Sequence, residues 1–259
     1  MDFHTAAGLT YALLPLVFLP AYFRFIYIFV SNTKYRSLEC YRIMIQMGVV
    51  QCVPIPLSYI GMGLVPIFGY DPLGISAYLI VFYPAALRTE AILGLCLALN
   101  RLKIICSLHY SSKIHTGVMM LAWLNFFLFT VVFLTPLAEF KMLPGHFLAS
   151  FTWEKGWTTQ IQLVNFILYM ATLVLTLCIY VIIIAYLIRL KISHGSDMEV
   201  KDFSILVYAV TRFSVYFSLT IVLYYVEFRK IPEKEVAVTV ALILCSTALT
   251  PILYFMLYR

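Results

Sequence analysis

The chain has 259 residues, of which 63% are hydrophobic and only 12% charged, with a formal net charge of +6. So little polar surface cannot clothe a soluble globule of this size, and the composition is that of an integral membrane protein. The basic residues are spread over short connectors, which excludes a nucleic-acid-binding patch and reads as membrane orientation, while six cysteines without paired spacing exclude a disulfide framework or a cysteine metal centre.

A hydrocarbon core about 30 Å thick needs about 20 apolar helical residues. Seven segments meet that length: Gly8–Val30, Ile43–Phe68, Ser76–Ile105, Gly117–Ala138, Leu163–Leu190, Phe203–Glu227 and Val236–Tyr258. The first run starts with no basic residue before it and is too long for a secretory h-region, so no cleavable signal peptide is expected. Internal prolines (Pro15, Pro20, Pro54, Pro56, Pro84, Pro251) predict kinks rather than breaks, since neighbouring helices can satisfy the freed carbonyls. Without an internal repeat or a long linker, the expectation is one domain, an all-α bundle of seven transmembrane helices. Cys40 is placed in a basic loop, and all five histidines in loops or at the termini.

Connector charge orients the bundle. With the N-terminus outside, the inner connectors and C-terminus carry Lys34, Arg36, Arg42, Arg101, Lys103, Lys113, Arg189, Lys191, Lys201 and Arg259, against Lys141, Lys155, Arg229, Lys230 and Lys234 outside. Ten against five predicts an outer N-terminus and an inner C-terminus. Arg24 is close enough to the inner face to snorkel there.

The third segment carries charges at membrane depth, which by their cost read as functional. Arg88 and Glu90 stand two apart, about 200° around a helix, and so cannot pair with each other. At about 1.5 Å per residue, Glu90 lies roughly 16 Å above Arg101 and Arg212 roughly 14 Å above Phe203. Matching depths predict a buried Glu90–Arg212 contact between the third and sixth helices. Arg88 then faces another helix or a ligand. A ligand cavity is expected in the outer half, among Tyr83, Arg88, Gln162, Asn165, Tyr169, Tyr216, Thr220 and Tyr224.

Asn100-Arg101-Leu102 ends the third segment and Thr250-Pro251-Ile252-Leu253-Tyr254 the seventh, with Trp123 inside the fourth. These resemble the acidic-Arg-aromatic triplet, the Asn-Pro-x-x-Tyr motif and the core Trp of rhodopsin-like G-protein-coupled receptors. The resemblance implies that Asn100, Arg101, Pro251 and Tyr254 serve activation and coupling to a heterotrimeric G protein. Asn100 in place of the acid removes a protonatable lock and leaves a weaker, neutral restraint. Several features depart from that pattern: there is no Asp in the second segment, no Pro or Trp in the sixth, and no Cys between Glu139 and Gln162. With Cys40-Tyr41-Arg42-Ile43-Met44, Tyr70-Asp71-Pro72-Leu73-Gly74 and Leu97-Ala98-Leu99-Asn100-Arg101-Leu102, the chain resembles the nematode serpentine chemoreceptors, most closely class T (Srt). That implies a plasma-membrane receptor of chemosensory neurons, in sensory cilia, with a small-molecule ligand and no cofactor. The sequence ends at Arg259, before the amphipathic helix and tail usual in such receptors, which either puts tail-based kinase and arrestin regulation in doubt or marks a fragment.

Two other classes compete with the receptor reading. A transporter or channel would use the buried charges together with helix breaks at Pro54, Pro56 and Gly61-Met62-Gly63, but lacks a repeat. An enzyme is disfavoured because Glu90 is the only deep acid, no histidine is expected inside the bundle, and the seventh segment has no Lys for a retinal linkage.

Overall fold

The computed structural model describes residues 2–143, 145–152, 156–194, 207, 210–218, 221, 231–249 and 251–252. Its helices are α1 (Phe3–Ser31), α2 (Thr33–Arg36), α3 (Glu39–Cys52), α4 (Pro54–Phe68), α5 (Ile75–Ile80), α6 (Phe82–Ile105), α7 (Lys113–Leu134), α8 (Thr158–His194), α9 (210–218) and α10 (Pro232–Thr247). Together they form a seven-transmembrane bundle in which α3 with α4, and α5 with α6, each make one crossing. Among the described residues, five spans are long and apolar enough to cross a membrane: Phe3–Ser31, Glu39–Phe68, Pro72–Ile105, Lys113–Leu134 and Thr158–Arg189.

Proline chemistry sets the joints. At Val53 (φ −117°, ψ −73°) the second crossing bends, because Pro54 and Pro56 offer no N–H to the carbonyls of Val50 and Cys52. Pro84 does the same to the carbonyl of Ile80, and the ladder lapses at Val81. The fourth crossing ends at Leu134, short of the expected Ala138: Pro136 pushes Thr135 into an extended conformation (φ −86°, ψ 165°). At the other end it begins at Lys113, before the apolar run. The second crossing likewise begins at Glu39, and the expected loop residue Cys40 is buried in its first turn. Hydropathy registers where lipid begins; a helix runs on past that boundary when its end is held by polar contacts.

Tyr70-Asp71-Pro72-Leu73-Gly74 is a capping device. Gly69 closes α4 at φ 75°, and the Asp71 carboxylate accepts hydrogen bonds from Ser76 N (2.9 Å) and Ala77 N (3.0 Å), starting α5. The Gly61-Met62-Gly63 step is helical and serves close packing rather than a break, correcting its reading as a helix break. A Cβ on Gly63 would stand 2.5 Å from the Gly8 carbonyl oxygen, and a Cβ on Gly8 2.5 Å from that of Gly63, so α1 and α4 touch backbone to backbone.

One mouth of the bundle is covered by a hairpin, β1 (Phe140–Lys141) antiparallel to β2 (Ser150–Phe151), with Phe140 opposite Phe151. Phe147 between the strands dips inward and is 1% exposed.

Replacing Gly63 by Leu should separate α1 from α4 and destabilise the fold by about 1–3 kcal/mol, the usual cost of overpacking. Thermal unfolding in detergent checks this, with Gly94→Leu as a contrast, since a Cβ at Gly94 meets nothing within 4 Å.

Candidate functional site

Three polar layers are stacked along the bundle. In the middle, Glu90 of α6 and Arg212 of α9 are 4% and 6% exposed, and Arg212 Nη2 donates to Glu90 Oε1 at 3.0 Å. The two side chains meet at one level of the bundle. Arg212 also donates to Met47 Sδ (3.7 Å) and lies 5.4 Å from the centroid of the Tyr216 ring. Gln51 and Tyr216 stand beside the carboxylate. The amide of the fully buried Gln51 and the Tyr216 hydroxyl are, with Arg212, the hydrogen-bonding groups that face it.

Arg88 turns the other way, as its angular offset requires. Nη1 donates to Asn165 Oδ1 of α8 at 2.9 Å, and the guanidinium lies 4.2 Å from the Phe129 centroid of α7. Beside the Glu90–Arg212 pair is a cavity of about 50 Å³ by the positions a water centre can occupy, or about 480 Å³ if all empty space to its open side is counted. Of the expected ligand contacts, Tyr169 and Tyr216 line it; Tyr83, Arg88 and Asn165 do not. Tyr83 instead packs against Tyr59 and Phe140, with centroids 5.6 and 6.5 Å away. Thr220, Tyr224 and Tyr254 lie outside the described residues.

At the Asn100 end, a carboxylate from another helix lies beside the Asn100–Arg101 pair. Arg101, 1% exposed, donates through Nη2 to Asn100 Oδ1 (3.1 Å), and Asn100 Nδ2 donates to Glu39 Oε2 of α3 (3.1 Å). That same oxygen lies 3.0 Å from His115 Nδ1 and 3.6 Å from Lys103 Nζ. His115, expected in a loop, is 1% exposed in the first turn of α7. Tyr110 closes the cluster, its hydroxyl donating to the Leu99 carbonyl (2.9 Å) and meeting His115 Nε2 at 3.2 Å. Burial, and then the nearby Glu39 carboxylate, push the Tyr110 phenol above its ordinary range. Asn100 is therefore no lone neutral restraint but a relay between Arg101 and a carboxylate. Pro251 is buried, and Trp123 ties α7 to α3 through Nε1–H to Gln46 Oε1 (2.8 Å).

The third layer seats the hairpin. Glu235, 2% exposed in the first turn of α10, accepts from Phe147 N at 2.6 Å and lies 3.1 Å from His146 Nδ1. The Phe147 carbonyl accepts from Tyr11 (3.1 Å) and Thr239 (3.1 Å). Glu39, His115 and Glu235 were all missed from sequence because they sit at or beyond the ends of the apolar runs. The one available signal was their place beside a helix start.

The backbone is similar to the crystal structure of squid rhodopsin, with a TM-score of 0.75 at 10% identity, over 97% of this chain and 76% of that one. The fold is thus the rhodopsin-type seven-helix bundle. No family model matches the chain, and no curated protein sequence matches it.

Glu235→Ala should leave the Phe147 N–H without its buried acceptor and loosen the hairpin by about 1–3 kcal/mol. Amide hydrogen exchange at residues 145–152 is expected to speed up while that of α6 stays unchanged; unaltered exchange would mean that Glu235 does not hold the hairpin.

Proposed function

We propose that the protein is a G-protein-coupled receptor of chemosensory type, with a small-molecule ligand acting on the bundle and a heterotrimeric G protein engaged at its Asn100 end. The observation that carries this reading is the Glu90–Arg212 contact, a buried ion pair between α6 and α9 beside a cavity, in a rhodopsin-type fold. Two helices joined at mid-depth by one charged contact form a two-state device: a ligand that binds better when the contact is altered shifts the population. At the other end, Arg101 is held through Asn100 by Glu39, so movement of α3 against α6 would free it for a partner. Pro251 and Tyr254 are proposed to share in that rearrangement, and Tyr169 and Tyr216 in ligand contact; Arg88 and Asn165 serve by joining α6 to α8.

The charge of the connectors supports placing the hairpin and the N-terminus outside and the Asn100–Arg101 end inside, where a G protein would dock. The motif resemblance to nematode serpentine receptors supports the plasma membrane of sensory cilia as the site of action. A transporter reading gains little, since its supposed break at Gly61–Gly63 is a helix contact.

Removing one partner of a buried pair leaves an uncompensated charge and typically costs 3–5 kcal/mol, part of it in the resting arrangement alone. Each 1.4 kcal/mol lost from the resting state shifts the population about tenfold. Arg212→Met and Glu90→Gln should therefore raise basal nucleotide exchange on a co-expressed G protein by about tenfold. If both variants fold and basal exchange stays at the level of the unaltered chain, the pair is not a restraint. Glu39→Gln should raise basal exchange less, because Asn100 and Arg101 keep their own hydrogen bond; an effect equal to that of Arg212→Met would make the Glu39 cluster the dominant lock.

A further inference from the structure

We infer that Arg88 anchors a second ligand site, in the cleft between α7 and α8, and that this site takes the carboxylate of a single-chain amphiphile arriving through the bilayer. Binding is argued from Arg88 and its surroundings. Only the consequence for signalling rests on the receptor reading.

The argument begins with a charge that nothing balances. Arg88 is 5% exposed; Nη1 donates to the neutral Asn165 Oδ1 at 2.9 Å, and the guanidinium lies 4.2 Å from the Phe129 centroid. Among the described residues no carboxylate lies within ion-pair distance of it, and Glu90, two residues on, is taken by Arg212. An amide and a ring hold a guanidinium in place without neutralising it, and an unneutralised cation at membrane depth is costly. Nε and Nη2 have no acceptor among the described residues. Those two donors form the fork that grips an oxyanion through parallel hydrogen bonds. A neutral acceptor could use the fork but would leave the charge, and a cation is repelled. The missing group is an anion.

Access follows from the packing of three helices. Arg88 reaches Phe129 on α7 and Asn165 on α8, so it stands between them. Both helices pack closely on α6, yet they make little contact with each other, which leaves a cleft floored by α6 and open toward lipid. At this level the exposed side chains of the two helices, Leu128, Val131, Val164 and Leu168, are all apolar. The hairpin side is roofed by rings: Phe129 packs on Phe133 (6.1 Å), which meets Phe140 (6.4 Å) and Phe151 (5.8 Å) of β1 and β2. A counter-ion therefore comes sideways, carried on an apolar chain. Counted from Arg101 at about 1.5 Å per residue, Arg88 stands roughly 20 Å along a hydrocarbon core about 30 Å thick. A phospholipid phosphate stays ionised and outside that core. A carboxylic acid can enter neutral, because desolvation favours its protonated form, and ionise beside the guanidinium, its proton passing back along the cleft to interfacial water.

The test uses the full chain in phosphatidylcholine nanodiscs and a palmitic acid carrying a mid-chain diazirine and a terminal alkyne. Light-dependent labelling should map to residues 124–131 and 163–168, and unlabelled palmitic acid should suppress it. Hexadecanol and methyl palmitate, which keep the chain but not the charge, should compete at least about tenfold more weakly. Arg88→Met should abolish specific labelling together with the rise in melting temperature that palmitic acid gives the unaltered chain, and Arg88→Lys should retain part of both. Equal competition by the alcohol or the ester, labelling that survives Arg88→Met, or labelling centred on residues 87–97 and 169–180 overturns the site. If Arg88→Met does not fold, the competition series on the unaltered chain decides. Phosphatidylglycerol built into the disc should not displace the probe, and displacement equal to that by palmitic acid overturns the choice of a carboxylate. The site and the receptor reading fail separately. Specific labelling without palmitate-dependent nucleotide exchange on any G protein supports the site and removes its link to signalling. Exchange driven by palmitate with labelling elsewhere overturns the site and leaves the receptor reading standing.

Discussion

An ion pair in the middle of a membrane protein constrains everything around it. Glu90 and Arg212 can stay charged there only because each is the other's partner, and because α6 and α9 are held at one depth and rotation. The rest of the packing serves that requirement. Arg88, two residues from Glu90, is drawn to the opposite side and fixed by Asn165 and Phe129, which sets the rotation of α6 about its axis. Two charges on one helix, facing opposite ways and each satisfied by a different neighbour, leave α6 little freedom to turn.

The polar clusters at the two ends act on different helices. Glu39, Asn100, Arg101 and His115 tie α3 and α7 to α6 at one end; Glu235, Tyr11 and Thr239 tie α10 and α1 to the hairpin at the other. Between them the contacts are largely apolar or backbone-to-backbone, as where Gly8 meets Gly63. In lipid, apolar faces gain little from meeting one another, so close approach and a few polar contacts carry specificity. Such a bundle can be stable as a whole yet hold its alternative arrangements only a few contacts apart.

The middle of each crossing was readable from sequence, and its ends were not. Residue counting at constant rise placed Glu90 and Arg212 at one level because rise per residue is uniform within a helix. It could not find Glu39 or His115: hydropathy ends a helix where polar residues begin, whereas here polar residues extend the helix by bonding to one another. Glu235 escapes it for the same reason, standing one residue before the apolar run that begins at Val236. The ligand contacts were chosen by depth alone. Tyr169 and Tyr216 reach the cavity while Tyr83 and Asn165 do not, because facing depends on helix rotation, which only the packing fixes.

Asn100 carries no charge of its own, and it links Arg101 to a carboxylate on another helix. An adjacent acid would hold Arg101 directly; here Asn100 passes the hold to Glu39, a side chain on a different helix. A contact within one helix constrains only a rotamer, whereas a contact relayed to α3 constrains the position of one helix against another. Freeing Arg101 therefore requires either a shift of α3 or a change in the charge balance around Glu39, where Lys103 and His115 also converge. The relay couples the state of the triplet to the packing of the second crossing, whose bend at Val53 lies one helix length away. The proline joint and the Glu39 cluster therefore stand at the two ends of one helix, α3.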